Sequence, residues 1–296
     1  MNRIVLHFPE DEQFARKLAG ALEAVHAPLS LHRFPDGESL VRLDADVGDR
    51  TVVISSSLAR PDEKTLPLLF AADAARELGA RGVVLVAPYL AYLRQDRRFN
   101  AGEAVTSRSY ARLLSAAFDG LVTVDPHLHR YRALEEIYGI PTRVAHAAPL
   151  IAQWVAGEVQ RPLLIGPDVE SAQWVAEVAA ACGAPFTTLT KVRRGDRDVE
   201  VSLPDVSSWS DRQPVLIDDI VSSARTMIEA VRGVQRVGLL PPVCIGVHAL
   251  FAARAYADLV ASGASRVATC DTVPHVSNRI SVVQPVACAL DDLLEG

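Results

Sequence analysis

The chain has 296 residues, a formal net charge of −6 and 49% apolar residues. That length and apolar content exclude a disordered or fibrous protein and give two packed domains as the expectation. The acidic balance argues against a broad nucleic-acid-binding face, although basic residues gather at Arg94, Arg97 and Arg98 and again at Lys191, Arg193 and Arg194.

Along the first half, short β-branched runs at residues 4–8, 51–54, 83–86 and 121–124 read as strands. Amphipathic stretches at residues 11–26, 62–78 and 106–118 fit helices between them, with Thr106 and Ser107 expected to cap the third. Residues 29–34 and 40–43 flank Pro35-Asp36-Gly37 and read as an excursion turned by Asp-Gly.

The second half repeats the scheme, with strands at 163–165, 215–217, 243–247 and 266–269 and helices at 172–181, 226–237 and 252–262. Strands alternating with helices predict an α/β fold of two similar halves, each a mainly parallel sheet flanked by helices. The expected domains are residues 1–145 and 146–296. The stretch from Arg193 to Asp198 is dense in charge and lacks apolar anchors, so it reads as a loop or hairpin tip.

Cys182, Cys244, Cys270 and Cys288 lie far apart, three of them in apolar runs, and read as core thiols of a reducing cytosol. The N-terminus turns polar too soon for a signal peptide, and no run is apolar enough to span a bilayer. The expected location is the cytoplasm, with no membrane and no nucleic-acid partner.

In open parallel sheets ligands sit outside the carboxyl ends of the strands, so polar residues directly after apolar strands are the ones to weigh. Three such places occur: Asp125-Pro126-His127, Pro167-Asp168 and Asp218-Asp219. A lone acid there is more often a helix cap or turn former. Several on one sheet edge point to a site.

The strongest segment is Val215-Leu216-Ile217-Asp218-Asp219-Ile220-Val221-Ser222-Ser223-Ala224-Arg225-Thr226-Met227. It reads as a strand, an acid pair, a hydroxyl-rich turn and a helix. Free N–H groups at the helix start, with the Ser222, Ser223 and Thr226 hydroxyls, can hold a phosphate. The two carboxylates repel phosphate but suit the vicinal hydroxyls of a sugar. A phosphosugar satisfies both demands.

This segment resembles the phosphoribosyl-diphosphate-binding signature shared by type I phosphoribosyltransferases and ribose-phosphate pyrophosphokinases. Phe34-Pro35-Asp36-Gly37-Glu38, Pro88-Tyr89-Leu90-Ala91-Tyr92-Leu93-Arg94-Gln95-Asp96-Arg97, Thr123-Val124-Asp125-Pro126-His127 and Gly166-Pro167-Asp168 resemble the pyrophosphokinase motifs, in their order. So do Thr272-Val273-Pro274 and Ile280-Ser281-Val282. The match spans essentially the whole chain and is similar in detail to the archaeal-type branch.

The resemblance implies two phosphoribosyltransferase-like (Rossmann-like) domains and transfer of a diphosphoryl group from Mg-ATP to ribose 5-phosphate. It implies that Phe34, Asp36 and Glu38 bind the adenosine of ATP from a neighbouring subunit of a homo-oligomer. Arg94 and Gln95 would contact ATP with Asp96 beside them, and His127 and Asp168 would help hold Mg²⁺. Asp218, Asp219, Ser222, Ser223, Ala224, Arg225 and Thr226 would bind ribose 5-phosphate. Lys191 and Arg193 match the catalytic loop, whose cations stabilise charge on the transferring group.

Where family members usually carry a glycine before the turn's threonine, this chain has Ala224-Arg225-Thr226; Arg225 either points outward or adds a cation to the phosphate site. Val169-Glu170-Ser171 replaces the usual small residues and glycines. Asp125 is either an acid supporting the site or a turn former. A type I phosphoribosyltransferase would share the phosphate turn without needing the Phe34 or Arg94 motifs, and a non-catalytic regulatory subunit would keep the fold without turnover.

Overall fold

A computed structural model describes residues 2–167, 171–193, 199–202 and 209–296. The chain forms two compact units. The first comprises Met1–His146, Thr272–Pro274 and Val282–Gly296; the second comprises Ala147–Asp271 and His275–Ser281.

The first unit opens with β1 (Arg3–His7), α1 (Glu12–Ala21), β2 (Val25–Arg33), β3 (Ser39–Leu43), β4 (Thr51–Ser55), α2 (Pro61–Glu77) and β5 (Gly82–Ala87). It continues with α3 (Thr106–Ala117), β6 (Gly120–Val124) and β7 (Thr142–Ala145). These strands make one seven-stranded sheet ordered β3-β2-β1-β4-β5-β6-β7, parallel except for the β2–β3 hairpin. The inner strands are buried almost throughout, because helices cover both faces of a parallel sheet and demand unbroken Val, Ile and Leu.

The second unit contains α4 (Ala148–Glu158), β8 (Pro162–Gly166), α5 (Ala172–Cys182), β9 (Phe186–Thr188), β10 (Thr190–Arg193) and β11 (Val199–Ser202). There follow β12 (Gln213–Val221), α6 (Arg225–Arg236), β13 (Val243–Ala249), α7 (Ala255–Ala261), β14 (Arg266–Cys270) and β15 (Asn278–Ile280). Its parallel sheet runs β15-β14-β13-β12-β8-β9, and β10 and β11 pair separately as an antiparallel ribbon. The charged residues 194–198 lie outside the described residues.

Four expectations need correction. The final helix, α8 (Val283–Glu295), packs on α1, β6 and β7, so the chain end belongs to the first unit and not to a second domain running through residue 296. Burial of Val286 and Leu290 there drives that return. The first helix ends at Ala21, and Val25–Pro28, expected to be the helix end and the link to the excursion, pair with β1 in the main sheet; beyond them Leu29–Arg33 pair antiparallel with Ser39–Leu43, as the expected excursion. Thr106 and Ser107 do not cap α3, whose N-cap is Val105 without a side-chain bond. Finally, Cys244 and Cys270 are core thiols, but Cys182 is half-buried and Cys288 exposed; no disulfide links the four. Among the described residues no helix is long and apolar enough to cross a membrane.

Candidate functional site

In the second unit, β12 carries the acid pair out of the sheet's buried centre, and both Asp218 and Asp219 are half-buried. Asp218 lies level with Gly246 of β13. Each carboxylate accepts the next backbone N–H: Asp219 donates to Asp218 Oδ1 at 3.0 Å and Ile220 to Asp219 Oδ1 at 2.7 Å. The side chains are thereby held at the strand end.

Val221 and Ala224 are buried and anchor the turn, whereas Ser223, Arg225 and Thr226 are exposed and Ser222 is half-buried. Ala224 adopts φ +56°, ψ +6° as N-cap of α6. A left-handed residue at this point turns the chain sharply into the helix, and alanine holds the conformation that glycine would reach without strain. The first amides of α6 have no intrahelical acceptor, and the helix dipole adds partial positive charge. Turn, hydroxyls and acids thus share one strand end. Arg225 is the first residue of α6, exposed and without an ion pair among the described residues.

Lys191 and Arg193 fall on the backbone of β10, and their side chains are outside the described set. Asp168 also lies outside the described residues.

The first unit carries the remaining candidates. Phe34, Asp36 and Glu38 are all exposed at the β2–β3 turn. The turn is closed by Phe34 N–H to Glu38 O at 2.8 Å and Gly37 N–H to Phe34 O at 2.9 Å, with Gly37 at φ +95°. Asp36 Oδ1 accepts the Glu38 N–H at 3.2 Å, which stiffens the tip. Phe34 packs edge-on against His32, ring centroids 4.8 Å apart, and remains 40% exposed.

The residues expected to cap α3 are engaged elsewhere, Thr106 through its hydroxyl and Ser107 through its backbone with Gln95, and the Ser107 hydroxyl with that of Tyr131 at 3.4 Å. Thr106 Oγ1 reaches Gln95 Oε1 at 3.3 Å, and the Ser107 N–H donates to Gln95 O at 3.3 Å. Tyr131 donates its hydroxyl to Asp96 O at 3.2 Å, and Arg130 pairs with the Asp96 carboxylate at 3.5 Å. Asp96 is buried. These partners fix the backbone on which Arg94 stands exposed, without an ion pair among the described residues. Tyr131 and Arg130 escaped the sequence reading; a tyrosine directly after a basic residue on a polar loop was the only signal.

After β6, His127 is half-buried with its ring 4.0 Å edge-on from that of His129. Asp125 holds φ +32° and accepts from His146 Nδ1 at 2.9 Å, so it works as a partner of that imidazole within the loop.

Residues 4–117 match the family model described as the N-terminal domain of ribose phosphate pyrophosphokinase, and residues 133–285 match the phosphoribosyl transferase domain. The chain is 39% identical to the ribose-phosphate pyrophosphokinase of Methanopyrus kandleri, covering 98% of this chain and 99% of that one. It is 30% identical to the Halobacterium salinarum protein of the same name, covering 97% and 100% respectively. Its fold matches the crystal structure of phosphoribosylpyrophosphate synthetase from Mycobacterium smegmatis with a TM-score of 0.85 at 22% identity, covering 100% of this chain and 99% of that one.

Proposed function

The chain belongs to the ribose-phosphate pyrophosphokinase family, and on that premise we propose that it transfers the β,γ-diphosphoryl group of Mg-ATP to the 1-hydroxyl of ribose 5-phosphate, giving 5-phosphoribosyl 1-diphosphate and AMP. The observation that carries the reading is the end of β12, where an acid pair suited to ribose hydroxyls leads into a left-handed turn and a helix start suited to phosphate. In this reading Asp218 and Asp219 take the sugar, and Ser222, Ser223, Ala224, Arg225 and Thr226 take the 5-phosphate.

Arg94 and Gln95 are assigned to ATP, with Asp96 holding their segment in place. Lys191 and Arg193 are assigned to charge stabilisation on the transferring group, which in phosphoryl chemistry is the main task left to the protein. Magnesium keeps water and phosphate oxygens in its octahedron and asks for only one or two protein ligands. His127 and Asp168, one imidazole and one carboxylate, are the candidate ligands of an ion arriving on ATP, a donor pair within that regime. The ion's contribution when bound is to neutralise phosphate charge.

We assign the ATP site to a homo-oligomer of at least two chains, because Phe34 stands exposed on a stiff turn well separated along the chain from Asp168 and Asp218-Asp219. Mixing Phe34→Ala and Lys191→Ala chains should restore activity on subunit exchange, and verified exchange without activity would refute this. Unlinked cysteines suit the reducing cytoplasm, to which we assign the reaction. The activity itself is tested by incubating the purified chain with ATP, Mg²⁺ and ribose 5-phosphate. AMP and 5-phosphoribosyl 1-diphosphate should form together and only when all three are present. Failure of the chain alone would favour a regulatory subunit, and transfer of ribose phosphate to a base would favour a phosphoribosyltransferase.

A further inference from the structure

The loop after β13 touches the phosphate turn from behind. Ala252 donates its N–H to the Ser222 carbonyl at 3.0 Å. In a trans peptide the carbonyl and the following N–H point in opposite directions. Holding the Ser222 carbonyl against the β13 loop therefore aims the Ser223 N–H the other way, into the turn. Among the described residues that N–H has no acceptor.

What holds Ala252 in place is a cluster of three rings. Phe251 lies 4.7 Å from His275 and 5.3 Å from Tyr256, and Tyr256 lies 4.9 Å from His275. These separations are those of favourable aromatic pairs. Phe251 also packs on the buried cluster that contains Val221, Ala224 and Met227, the apolar footing of the turn and of α6. His275 is pinned in turn: its Nδ1 accepts the Ser277 N–H at 3.2 Å, and its own N–H donates to Asn278 Oδ1 at 2.8 Å. Asn278 Nδ2 then donates to Thr269 Oγ1 at 2.9 Å and Cys270 O at 2.7 Å, which ties the cluster to β14. Burial holds the His275 imidazole below its usual range, in keeping with a neutral ring that accepts at Nδ1.

We propose that Phe251, clamped between His275 and Tyr256, is a positioning residue for the phosphate turn, keeping the Ala252 N–H on the Ser222 carbonyl so that the Ser223 N–H faces the sugar phosphate. The proposal rests on assigning ribose 5-phosphate to this turn. Polar residues after strands drew attention in the sequence; Phe251 is apolar and stands one strand over.

The test compares Phe251→Ala, His275→Ala, Phe251→Tyr and Leu239→Ala in the full-length chain. Leu239 is buried in the same cluster but lies away from the loop, so it reports simple loss of core stability. Calorimetric titration with ribose 5-phosphate gives the dissociation constant, and steady-state kinetics give KM for each substrate. Loss of one aimed N–H to a charged oxygen predicts roughly ten-fold weaker ribose 5-phosphate binding in Phe251→Ala and His275→Ala, with KM for ATP unchanged. Phe251→Tyr keeps the ring and should bind like the parent, and Leu239→Ala should melt lower without weakening the sugar phosphate. Unchanged binding in both alanine variants, or an equal loss in Leu239→Ala, overturns the proposal. If Phe251→Ala does not fold, His275→Ala decides. A parent chain that binds ribose 5-phosphate but forms no product would refute the activity and leave the clamp measurable by titration.

Discussion

Leu290 tests whether the chain's last helix is truly part of its first unit. It is fully buried in α8, against a sheet built from residues more than a hundred positions earlier. Arg3 of β1 pairs with Asp291, and a Cβ on Gly120 of β6 would lie 2.6 Å from Leu293, so the helix is seated closely. Truncating a leucine with no exposure to alanine costs about 3 kcal/mol through lost transfer energy and the cavity left behind. At about 1.4 kcal/mol per decade, opening of the first unit should become roughly 100-fold more frequent. Hydrogen exchange read by mass spectrometry should show that acceleration in peptides covering β4, β5 and β6, while β12 and β13 keep the parent rate. Equal acceleration in both sheets, or acceleration confined to β12 and β13, would refute the assignment of α8.

Three further perturbations follow from the geometry. Asp219→Ala should raise KM for ribose 5-phosphate roughly ten-fold or more by removing a charged acceptor, and leave KM for ATP alone; unchanged sugar kinetics would remove Asp219 from the site. Gly246→Ala would put a Cβ 2.6 Å from Val221 Cγ2 beneath the phosphate turn, an overpacking that costs about 1–3 kcal/mol, so its melting point should fall and Gly246→Ala with Val221→Ala should melt above Gly246→Ala alone. Asp11 is buried and its carboxyl is pushed above the ordinary 3.8, chiefly by desolvation. Its contribution to stability is therefore full below pH 3.8 and lost as pH rises through the raised value. Asp11→Asn stays neutral, so its melting point relative to the parent should climb over that rise; a gap independent of pH would contradict the burial argument.

How much the sequence disclosed follows from where burial was two-sided. The central strands were legible because helices cover both faces, which forces continuous apolar runs such as Val83–Val86 and Val215–Ile217. The edge strands Thr142–Ala145, Phe186–Thr188 and Asn278–Ile280 were missed because three or four residues carry no period. Val25, His26, Ala27 and Pro28 are largely exposed and carry no strand period, so the start of β2 passed for a helix end, while the hairpin from Leu29 to Leu43 was marked by its Asp-Gly turn. The strand, acid pair, hydroxyl turn and helix start could be read directly, because they follow one another along the chain. The caps on α3 could not, because a hydroxyl's choice between its own helix and Gln95 depends on a loop that lies beside it only after folding.

Only one of two matching strand ends carries an acid pair. Within each unit the first sheet strand pairs in parallel with a strand that leads to the helix on its far side: β1 with β4 from Thr51, and β8 with β12 from Gln213. Counting from those starts, Ser56-Ser57 occupies the level of Asp218-Asp219. Both turns end on a left-handed residue at the helix N-cap, Arg60 at φ +55° and Ala224 at φ +56°. In the first unit the amide and hydroxyl there are already used: Ser57 N–H and Ser56 Oγ donate to the Asp11 carboxylate at 3.2 and 3.0 Å, with Lys64 Nζ 3.5 Å from it. A buried internal carboxylate at that place repels an incoming phosphate, and serines in place of acids give sugar hydroxyls no charged acceptor. The fold thus offers the same strand end twice, and in the first unit the Asp11 carboxylate takes up the Ser57 amide and the Ser56 hydroxyl at that level of the sheet.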